Sequence, residues 1–418
     1  MISIRRAVTR TIAGVALLSG ATACSDNFLK VTNPNVLDAS TVDPVAGATT
    51  LALSAQQNFV FAYGWLSSYS AWFTQEANVS DTFPTRNEFG FRTISDLNGS
   101  LSGDVWGPIS VAAASAKAVL DLTLPNPTSN INVARAATFR GFAVLMMATD
   151  FCTGALSSGP ELTTAQLLDT AAFWFGKGID AGKANGTTDG IALANAATVG
   201  RARAKLQKGD KAGAIADAGL VPAGFQFDVR HTDDAANRSR LSNRQYQFSF
   251  DRGSISVAPW YRQADTRIPY RAPGATTANG QDAVPGGFHQ QAKFPGYGSA
   301  VRLASKLEAD YIAAEAGGDV ATMLTLINAR RAAGGAPAYS GATDAASVTT
   351  ELFNQRAIDF YLEGKRLADF RRNATATATT ITASGQPYFK PGYGNVGTQT
   401  CYPIPRNERD NNPNMKTN

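Results

Sequence analysis

Apolar residues recur along most of the chain at the three- and four-residue spacing of amphipathic helices. This pattern predicts a helix over residues 50–79, bent or interrupted near Gly64, and further helices over residues 105–122 and 131–151. Four tryptophans lie within helical patterns of this kind and are expected in the core: Trp65, Trp72, Trp106 and Trp174. The chain is therefore predicted to be mainly α-helical.

A pair of helices joined by the same short turn occurs twice. Residues 191–208 are predicted to be helical and are followed by Gly209-Asp210, and residues 301–316 are followed by Gly318-Asp319. Both turns have the pattern Gly-Asp-x-Ala, in which glycine permits a left-handed helix end and aspartate caps the next helix. The two units resemble tetratricopeptide-repeat hairpins.

Long irregular segments separate the predicted helices. Residues 79–103, 271–300 and 374–400 contain several turn-forming residues, and loops of this length in a folded protein are usually either functional or disordered. Short strands are predicted where aromatic and polar residues alternate, at Phe225 and Phe227 and at Tyr246, Phe248 and Phe250.

The first 23 residues have the pattern of an export signal, with a basic start, an apolar segment over residues 12–18 and the small residues Ala21-Thr22-Ala23. Two outcomes fit this pattern. Cleavage by an ordinary signal peptidase would leave a soluble periplasmic protein, whereas processing as a bacterial lipobox would place a lipid on Cys24. The polar residues that follow Cys24 suit a tether, so we expect a signal peptide over residues 1–23 and lipidation of Cys24.

Removal of this signal changes the charge of the protein. The full chain has a formal net charge of +5, and residues 1–23 contain three arginines and no acidic residue, so the mature chain carries +2. The basic character belongs mostly to the signal, and a nucleic-acid partner is therefore not expected.

Two cysteines remain besides Cys24. Cys152 and Cys401 form either a disulfide or two buried free thiols. An exported protein meets an oxidising environment, so we expect the disulfide.

The sequence contains no recognised catalytic signature. With only His231 and His289, a histidine-rich metal site is not expected, and neither a Gly-x-Ser-x-Gly elbow nor a Walker loop occurs. A glycosidase would need only two carboxylates, for which Asp81 and Glu88 are the first candidates because they lie in an irregular segment. We expect a binding protein without a catalytic residue, metal or other cofactor.

Binding residues are sought among loop aromatics with polar neighbours. Aromatic rings accept the apolar faces of sugars, while amide and guanidinium groups bind hydroxyls. Three groups fit, although packing in the core is the competing explanation for each. The two leading groups are Phe83, Arg86, Asn87 and Phe89, and then Trp260, Tyr261 and Arg262; the third is Phe288 with His289.

Four segments, in order along the chain, resemble the SusD/RagB family of nutrient-binding outer-membrane lipoproteins: residues 28–35, 140–152, 308–372 and 402–414. The third carries Glu308, Tyr311, Gln355-Arg356, Asp359, Glu363-Gly364, Arg366, Asp369 and Arg371-Arg372, and the fourth begins Tyr402-Pro403-Ile404-Pro405. Gln355 and Asp359 depart from the family pattern, which has glutamate at both positions.

The resemblance implies a helical scaffold with tetratricopeptide-like hairpins, long loops and a few short strands. It would comprise an N-terminal region (residues 24–230) and a C-terminal region (residues 231–418) in one compact fold. The family is anchored by lipid alone at the cell-surface face of the Gram-negative outer membrane. There it presents an oligosaccharide, or in some members a peptide, to a TonB-dependent SusC-like barrel. The alternative is a helical-repeat lipoprotein that acts as a scaffold for other proteins.

Charged residues near the C-terminus are expected to be structural. If residues 352–372 form one helix, Glu363 with Arg366, Arg366 with Asp369, and Asp369 with Arg372 fall at helical neighbour spacings. We interpret these pairs as an ion-pair lattice that joins two helices, rather than as a ligand clamp.

Overall fold

The computed structural model describes residues 43–274, 280 and 284–415. The chain divides into two units, residues 1–46 and residues 47–418, and every contact discussed below lies within the second unit. Cys24, the predicted signal peptide and the first family-like segment lie outside the described residues. None of the helices in residues 43–274 and 284–415 combines the length and the apolar character of a membrane-spanning segment.

Helices make up most of the described residues. They are α1 (Pro44–Phe73), α2 (Pro84–Gly90), α3 (Gly107–Leu120), α4 (Ile131–Asp150), α5 (Thr164–Asn185), α6 (Thr188–Lys208), α7 (Lys211–Gly219), α8 (Arg238–Leu241), α9 (Arg244–Phe250), α10 (Lys306–Gly317), α11 (Val320–Ala333), α12 (Ala345–Asp359), α13 (Arg366–Arg372), α14 (Ala374–Thr377) and α15 (Arg406–Asn411). A π-helical turn, Leu101–Trp106, precedes α3, and a 3₁₀ turn spans Pro259–Tyr261. The predicted mainly helical fold class is confirmed.

The strands are short and pair two by two. They are β1 (Ala77–Val79), β2 (Thr153–Gly154), β3 (Leu162–Thr163), β4 (Gln226–Val229), β5 (Ile255–Val257), β6 (Tyr270–Arg271), β7 (Gln290–Gln291) and β8 (Val301–Ser305). The antiparallel pairs are β1 with β5, β2 with β3, β4 with β8, and β6 with β7. β4 contains Phe227, as the alternation predicted.

The two repeated turns form as expected. Gly209 and Gly318 adopt positive φ values of 90° and 67°, which end α6 and α10. The side chain of Asp210 accepts a hydrogen bond from the Gly213 amide at the start of α7, and that of Asp319 accepts one from the Thr322 amide at the start of α11. Left-handed glycine followed by a capping aspartate therefore reverses the chain twice.

Close approach of α4, α5 and α6 depends on two glycines. The ring of Phe175, on α5, lies between Gly141 of α4 and Gly200 of α6. A Cβ atom added at either glycine would lie 2.6 Å or 2.3 Å from that ring, nearer than such atoms pack. Phe175 itself packs edge-on against Phe142, so small and large residues interdigitate at the centre of the core.

Several local predictions were wrong. Residues 301–305, predicted to start a helix, form β8, and α2 lies within residues 79–103, which were predicted to be irregular. α1 runs through Gly64 without interruption and ends at Phe73. Tyr246, Phe248 and Phe250 lie on α9 rather than on a strand, and Tyr246 stacks on Phe250 four residues later, a helical spacing. The predicted helix over residues 352–372 divides into α12 and α13, because Leu362 and Gly364 take positive φ values of 59° and 66°.

A buried charge cluster joins α6, α10 and the family-like C-terminal segment. Its members are Arg203, Lys293, Arg302, Glu308, Arg356, Glu363, Lys365 and Asp369. Arg203 donates two hydrogen bonds to Glu308, at 2.6 and 2.8 Å, and Arg356 donates to Asp369 at 2.9 Å. An ion-pair lattice is therefore present, as predicted, but several of its pairs differ from the predicted ones.

The break between α12 and α13 explains the different partners. Asp369 pairs with Arg372 as predicted, at 2.9 Å, but Glu363 is not in helical register with Arg366. Glu363 instead accepts from Lys293 and Arg302, each at 2.9 Å. Burial alone would raise the pKa of Glu363, but Lys293, Arg302 and Lys365 together hold it well below its usual range.

A disulfide and a backbone pairing fix the C-terminal segment to the end of α4. Cys152 and Cys401 form a disulfide with a Cα–Cα distance of 5.1 Å. Beside it, the Cys152 amide donates to the Tyr402 carbonyl at 2.9 Å, and the Tyr402 amide donates to the Asp150 carbonyl at 2.8 Å. Segments 249 residues apart in sequence are thereby held together.

Loss of this disulfide should lower stability, because the link restricts the unfolded chain. The double variant Cys152→Ala with Cys401→Ala should lose on the order of 2–5 kcal/mol of unfolding free energy. Urea unfolding of the exported protein measures the loss, and the wild type treated with reductant is the matched comparison. Equal midpoints for all three samples, with both thiols open to alkylation in the unreduced wild type, would contradict the disulfide.

Candidate ligand-binding site

A surface cleft of about 330 Å³ lies where three separate parts of the chain meet. The segment after α1 contributes Gln75 and Asn78, and the 3₁₀ turn contributes Trp260. The irregular C-terminal loop contributes Tyr388 and Phe389. The cleft therefore combines aromatic rings with amide side chains.

The C-terminal loop is an ordered hairpin rather than a loose segment. The Gly385 amide donates to the Val396 carbonyl and the Val396 amide donates to the Gln386 carbonyl, both at 2.8 Å. Nearer the tip, the Tyr388 amide donates to the carbonyl of Gly394, whose φ of 75° suits glycine. This pairing holds Tyr388 and Phe389 on the wall of the cleft.

Both ends of this loop are attached to the segment that follows α2. The Gly397 amide donates to the Phe91 carbonyl at 2.7 Å, and Arg92 donates to the Thr382 carbonyl at 2.6 Å. Gln75, which has a positive φ of 57°, accepts a hydrogen bond from the Thr382 amide through its side-chain oxygen. The base of the loop is thus fixed, whereas residues 382–387 are exposed.

Two half-buried aromatic side chains face this region. Trp260 packs edge-on against Tyr261, with ring centroids 4.8 Å apart, and Phe389 packs against Tyr388 at 4.4 Å. Tyr261 and Tyr388 are buried and support the outer rings. Trp260 and Phe389 keep enough exposed surface to accept an apolar ligand face.

Asn78 supplies the polar part of the cleft. Its side chain is 5% exposed, yet its Nδ2 donor has no hydrogen-bond partner among the described residues. A buried donor without a partner is costly unless water or a ligand binds it. Asn78 is therefore a candidate donor to a ligand hydroxyl or carbonyl group.

The first predicted group lies beside this cleft, and most of it is buried. Phe83 is 50% exposed and lies over the guanidinium of Arg86, which is 4.5 Å from the ring centroid. Arg86 is buried and pairs with Asp81 at 2.6 Å. The buried Asn87 donates to the Phe83 carbonyl at 2.9 Å. Only Phe83 among these side chains presents a substantial surface.

Phe89 and Tyr261 must be removed from the predicted binding residues. Phe89 has no exposed surface and packs against Tyr69 and Tyr402, because α2 turns it inward. Tyr261 is also fully buried and supports Trp260 from beneath. Both are core aromatics, as the competing explanation held.

The two leading groups are connected through the C-terminal loop. Lys390 donates to the Asp81 carbonyl at 2.6 Å, and the Tyr388 hydroxyl lies 3.4 Å from the Asn87 side-chain oxygen. Sequence reasoning did not select Tyr388 or Phe389. The available signal was a pair of adjacent aromatics inside a long loop rich in turn residues.

The two carboxylates considered for hydrolysis are used in local structure. Asp81 is fully buried and bound by Arg86. Glu88 accepts hydrogen bonds from the Ser95 amide at 3.0 Å and from Asn98 at 2.6 Å. Across the described ranges, no three His, Cys, Asp or Glu side chains are grouped so as to hold a metal ion.

Glu76 lies buried between the two cleft residues Gln75 and Asn78. One of its carboxylate oxygens accepts from the Leu362 amide at 3.0 Å, and the other has no partner in the described structure. Burial raises the pKa of Glu76 to about 7, although Arg366 and Lys293 oppose the shift. The carboxyl group holds the left-handed turn between α12 and α13 against the segment that supports the cleft.

Several proteins of known structure have the same fold as this chain. Residues 308–418 match the SusD family. A SusD superfamily protein from Parabacteroides distasonis superposes with a TM-score of 0.66 at 15% identity, over 92% of this chain and 99% of that one. No curated protein sequence matched.

Two further structures of similar fold have names that state a ligand. Surface glycan-binding protein A from Bacteroides uniformis has a TM-score of 0.60 at 15% identity, covering 87% of this chain and 98% of its own. A laminarin-binding SusD-like protein has a TM-score of 0.59 at 14% identity, covering 87% and 96%. The C-terminal segment thus carries the SusD family sequence pattern, and the described chain has the fold of the SusD superfamily structures.

Protonation of Glu76 should make stability depend on pH. Its pKa is raised in the folded state, so between about pH 4.5 and 7 the folded protein holds a proton that the unfolded chain has released. Stability should therefore fall as pH rises through this window, by about 3 kcal/mol, and then level off.

Glu76→Gln keeps an acceptor for the Leu362 amide and cannot titrate. Urea unfolding from pH 4.5 to 8 should show a smaller decline for this variant than for the wild type. Asp150→Asn should also reduce the decline, because burial raises the pKa of Asp150 to about 7 as well. Identical pH profiles for Glu76→Gln and the wild type would contradict the assignment.

Proposed function

We propose that this protein binds an oligosaccharide in the cleft between Trp260 and Phe389 and releases it unaltered. The observation that carries the proposal is the cleft itself, where two half-exposed rings lie near the unpartnered Asn78 donor. Sugar rings have apolar faces and hydroxyl edges, and this wall offers a complement to both.

The expected binding is modest for each sugar unit. One aromatic contact supplies only about 0.5–1.5 kcal/mol beyond the area that it buries, so several units are needed for useful affinity. The glycan-related names of two proteins of similar fold support a saccharide over a peptide. We propose no catalytic role for Asp81 and Glu88, because Asp81 is paired with Arg86 and Glu88 accepts a hydrogen bond from Asn98.

We also propose that the protein acts at the cell surface of the outer membrane. There it would be attached by lipid on Cys24 and would deliver its ligand to a TonB-dependent SusC-like barrel. The match to the SusD family and the lipobox-like residues before Cys24 support this placement.

The double variant Trp260→Ala with Phe389→Ala should bind oligosaccharide at least about tenfold more weakly, because both stacking surfaces are removed. Calorimetry against a panel of oligosaccharides and short peptides measures the affinity. Phe173→Ala is the matched control, since it removes an exposed phenylalanine that does not line the cleft.

Phe83→Ala tests the neighbouring surface in the same assay. Weaker binding in this variant alone would move the site to Phe83, away from the cleft. Binding of peptides only would replace the saccharide assignment, and shortened products after long incubation would place the protein among the enzymes. No binding across the panel, with a copurifying protein, would favour the scaffold function.

The anchor can be tested by Cys24→Ser, which should release the protein from the membrane fraction. Stable attachment by lipid requires more than one acyl chain, as a bacterial lipoprotein carries. The variant lacking Cys152 and Cys401 keeps Cys24 and should remain in the membrane fraction. A wild-type intact mass without added lipid would rule the anchor out.

A further inference from the structure

A second and larger cavity, of about 700 Å³, lies between α1, α4, α6 and β4. It shares no lining residue with the Trp260 cleft. Its polar lining includes Gln56 and Gln57 from α1, Arg135 from α4 and Asp189 from α6. We call this cavity the Arg135 groove.

Arg135 is a largely buried arginine whose ion pair is long. Its side chain is only 13% exposed, and its Nε has no hydrogen-bond partner among the described residues. Its ion pair with Asp189 is long, at 3.9 Å, and the Asp189 side chain is 78% exposed. By contrast, Arg203 makes two short hydrogen bonds to Glu308.

This arrangement leaves a charged group incompletely satisfied on the wall of a cavity. Burial lowers the pKa of Arg135, but a guanidinium stays protonated at neutral pH. Such a group is strongly stabilised by a carboxylate, which can accept two parallel hydrogen bonds from it. The exposed Asp189 is too distant to supply that geometry here.

The remaining lining residues restrict what the ligand can be. Gln56 and Gln57 offer amide donors and acceptors suited to hydroxyl groups. Asp189 and Asp228 add negative charge, which disfavours a ligand with several anionic groups. Arg230 is exposed at the same cavity and balances one of them.

We propose that the Arg135 groove binds a sugar unit that carries a single carboxylate, with the Arg135 guanidinium paired to that carboxylate. The site is separate from the Trp260 cleft and does not depend on the function proposed for it. The groove would select acidic over neutral saccharides.

Calorimetry at low salt with a hexuronic-acid disaccharide carrying one free carboxylate, and with its neutral hexose counterpart, tests this proposal. Wild-type protein should bind the acidic probe about tenfold more tightly or better, as expected for a charge-assisted pair. Arg135→Met should abolish the preference, and Asp189→Asn should increase it by removing the competing carboxylate.

Lys211→Met removes the same charge at an exposed position outside the groove and should keep the preference. Arg135→Lys should weaken it, because an ammonium group lacks the planar fork. If a thermal melt shows that Arg135→Met is not folded, Arg135→Lys still tests the guanidinium, because it keeps the positive charge.

Several results would overturn the proposal. The two saccharide probes could bind equally or not at all, or Arg135→Met could keep the preference. A further contrary result would be binding of a tripeptide with a free carboxyl end and of neither saccharide. The Trp260→Ala with Phe389→Ala variant separates the two sites. It should keep the acidic preference, and loss of the preference in that variant alone would assign it to the cleft.

Discussion

Pairing of buried charges is the constraint on which this fold depends. Glu308, Glu363 and Asp369 are removed from water, and each is matched by arginine or lysine from another part of the chain. An unmatched charge at such depth would be strongly destabilising, so the helices must meet in one arrangement for every charge to be paired. Burial lowers the pKa of Lys365 to about 8, although Glu363 and Glu308 oppose the shift. The charge cluster therefore contributes specificity of packing as much as stability.

The same cluster supports the candidate ligand-binding cleft. Glu363 lies just after the left-handed Leu362, whose amide is held by Glu76, and Glu76 sits between the cleft residues Gln75 and Asn78. On the other side, Arg366 donates to Phe353 and to Thr380 at the start of the C-terminal loop. Tyr388 and Phe389 are thus carried by a loop whose base is hydrogen-bonded to Arg366, next to Lys365 of the charge cluster. Such a base holds Phe389 in place before a ligand arrives, which lowers the entropic cost of binding.

How much was predictable depends on the range of the interactions that decide each feature. The Gly-Asp turns at 209–210 and 318–319 are local, so sequence was sufficient to predict them. Tyr246 and Phe250 misled because a five-residue alternation fits both a strand and one face of a short helix. Phe83 and Phe89 are six residues apart in the same segment, yet one is exposed and the other buried. That difference arises from contacts with Tyr69 and Tyr402, far away in sequence, and no local pattern records it.

The attachment of the C-terminal loop has a consequence for how proteins of this type diversify. Hydrogen bonds to Phe91 and from Arg92 fix the base of the loop, while residues 383–387 are exposed. Mutations in that exposed stretch alter one rim of the cleft and leave the paired charges and the glycine-dependent helix packing untouched. If the cleft is the ligand site proposed above, the residues that set ligand preference differ from those that the fold requires. Substitutions at a few loop positions could then change the preferred ligand without a loss of stability in the core.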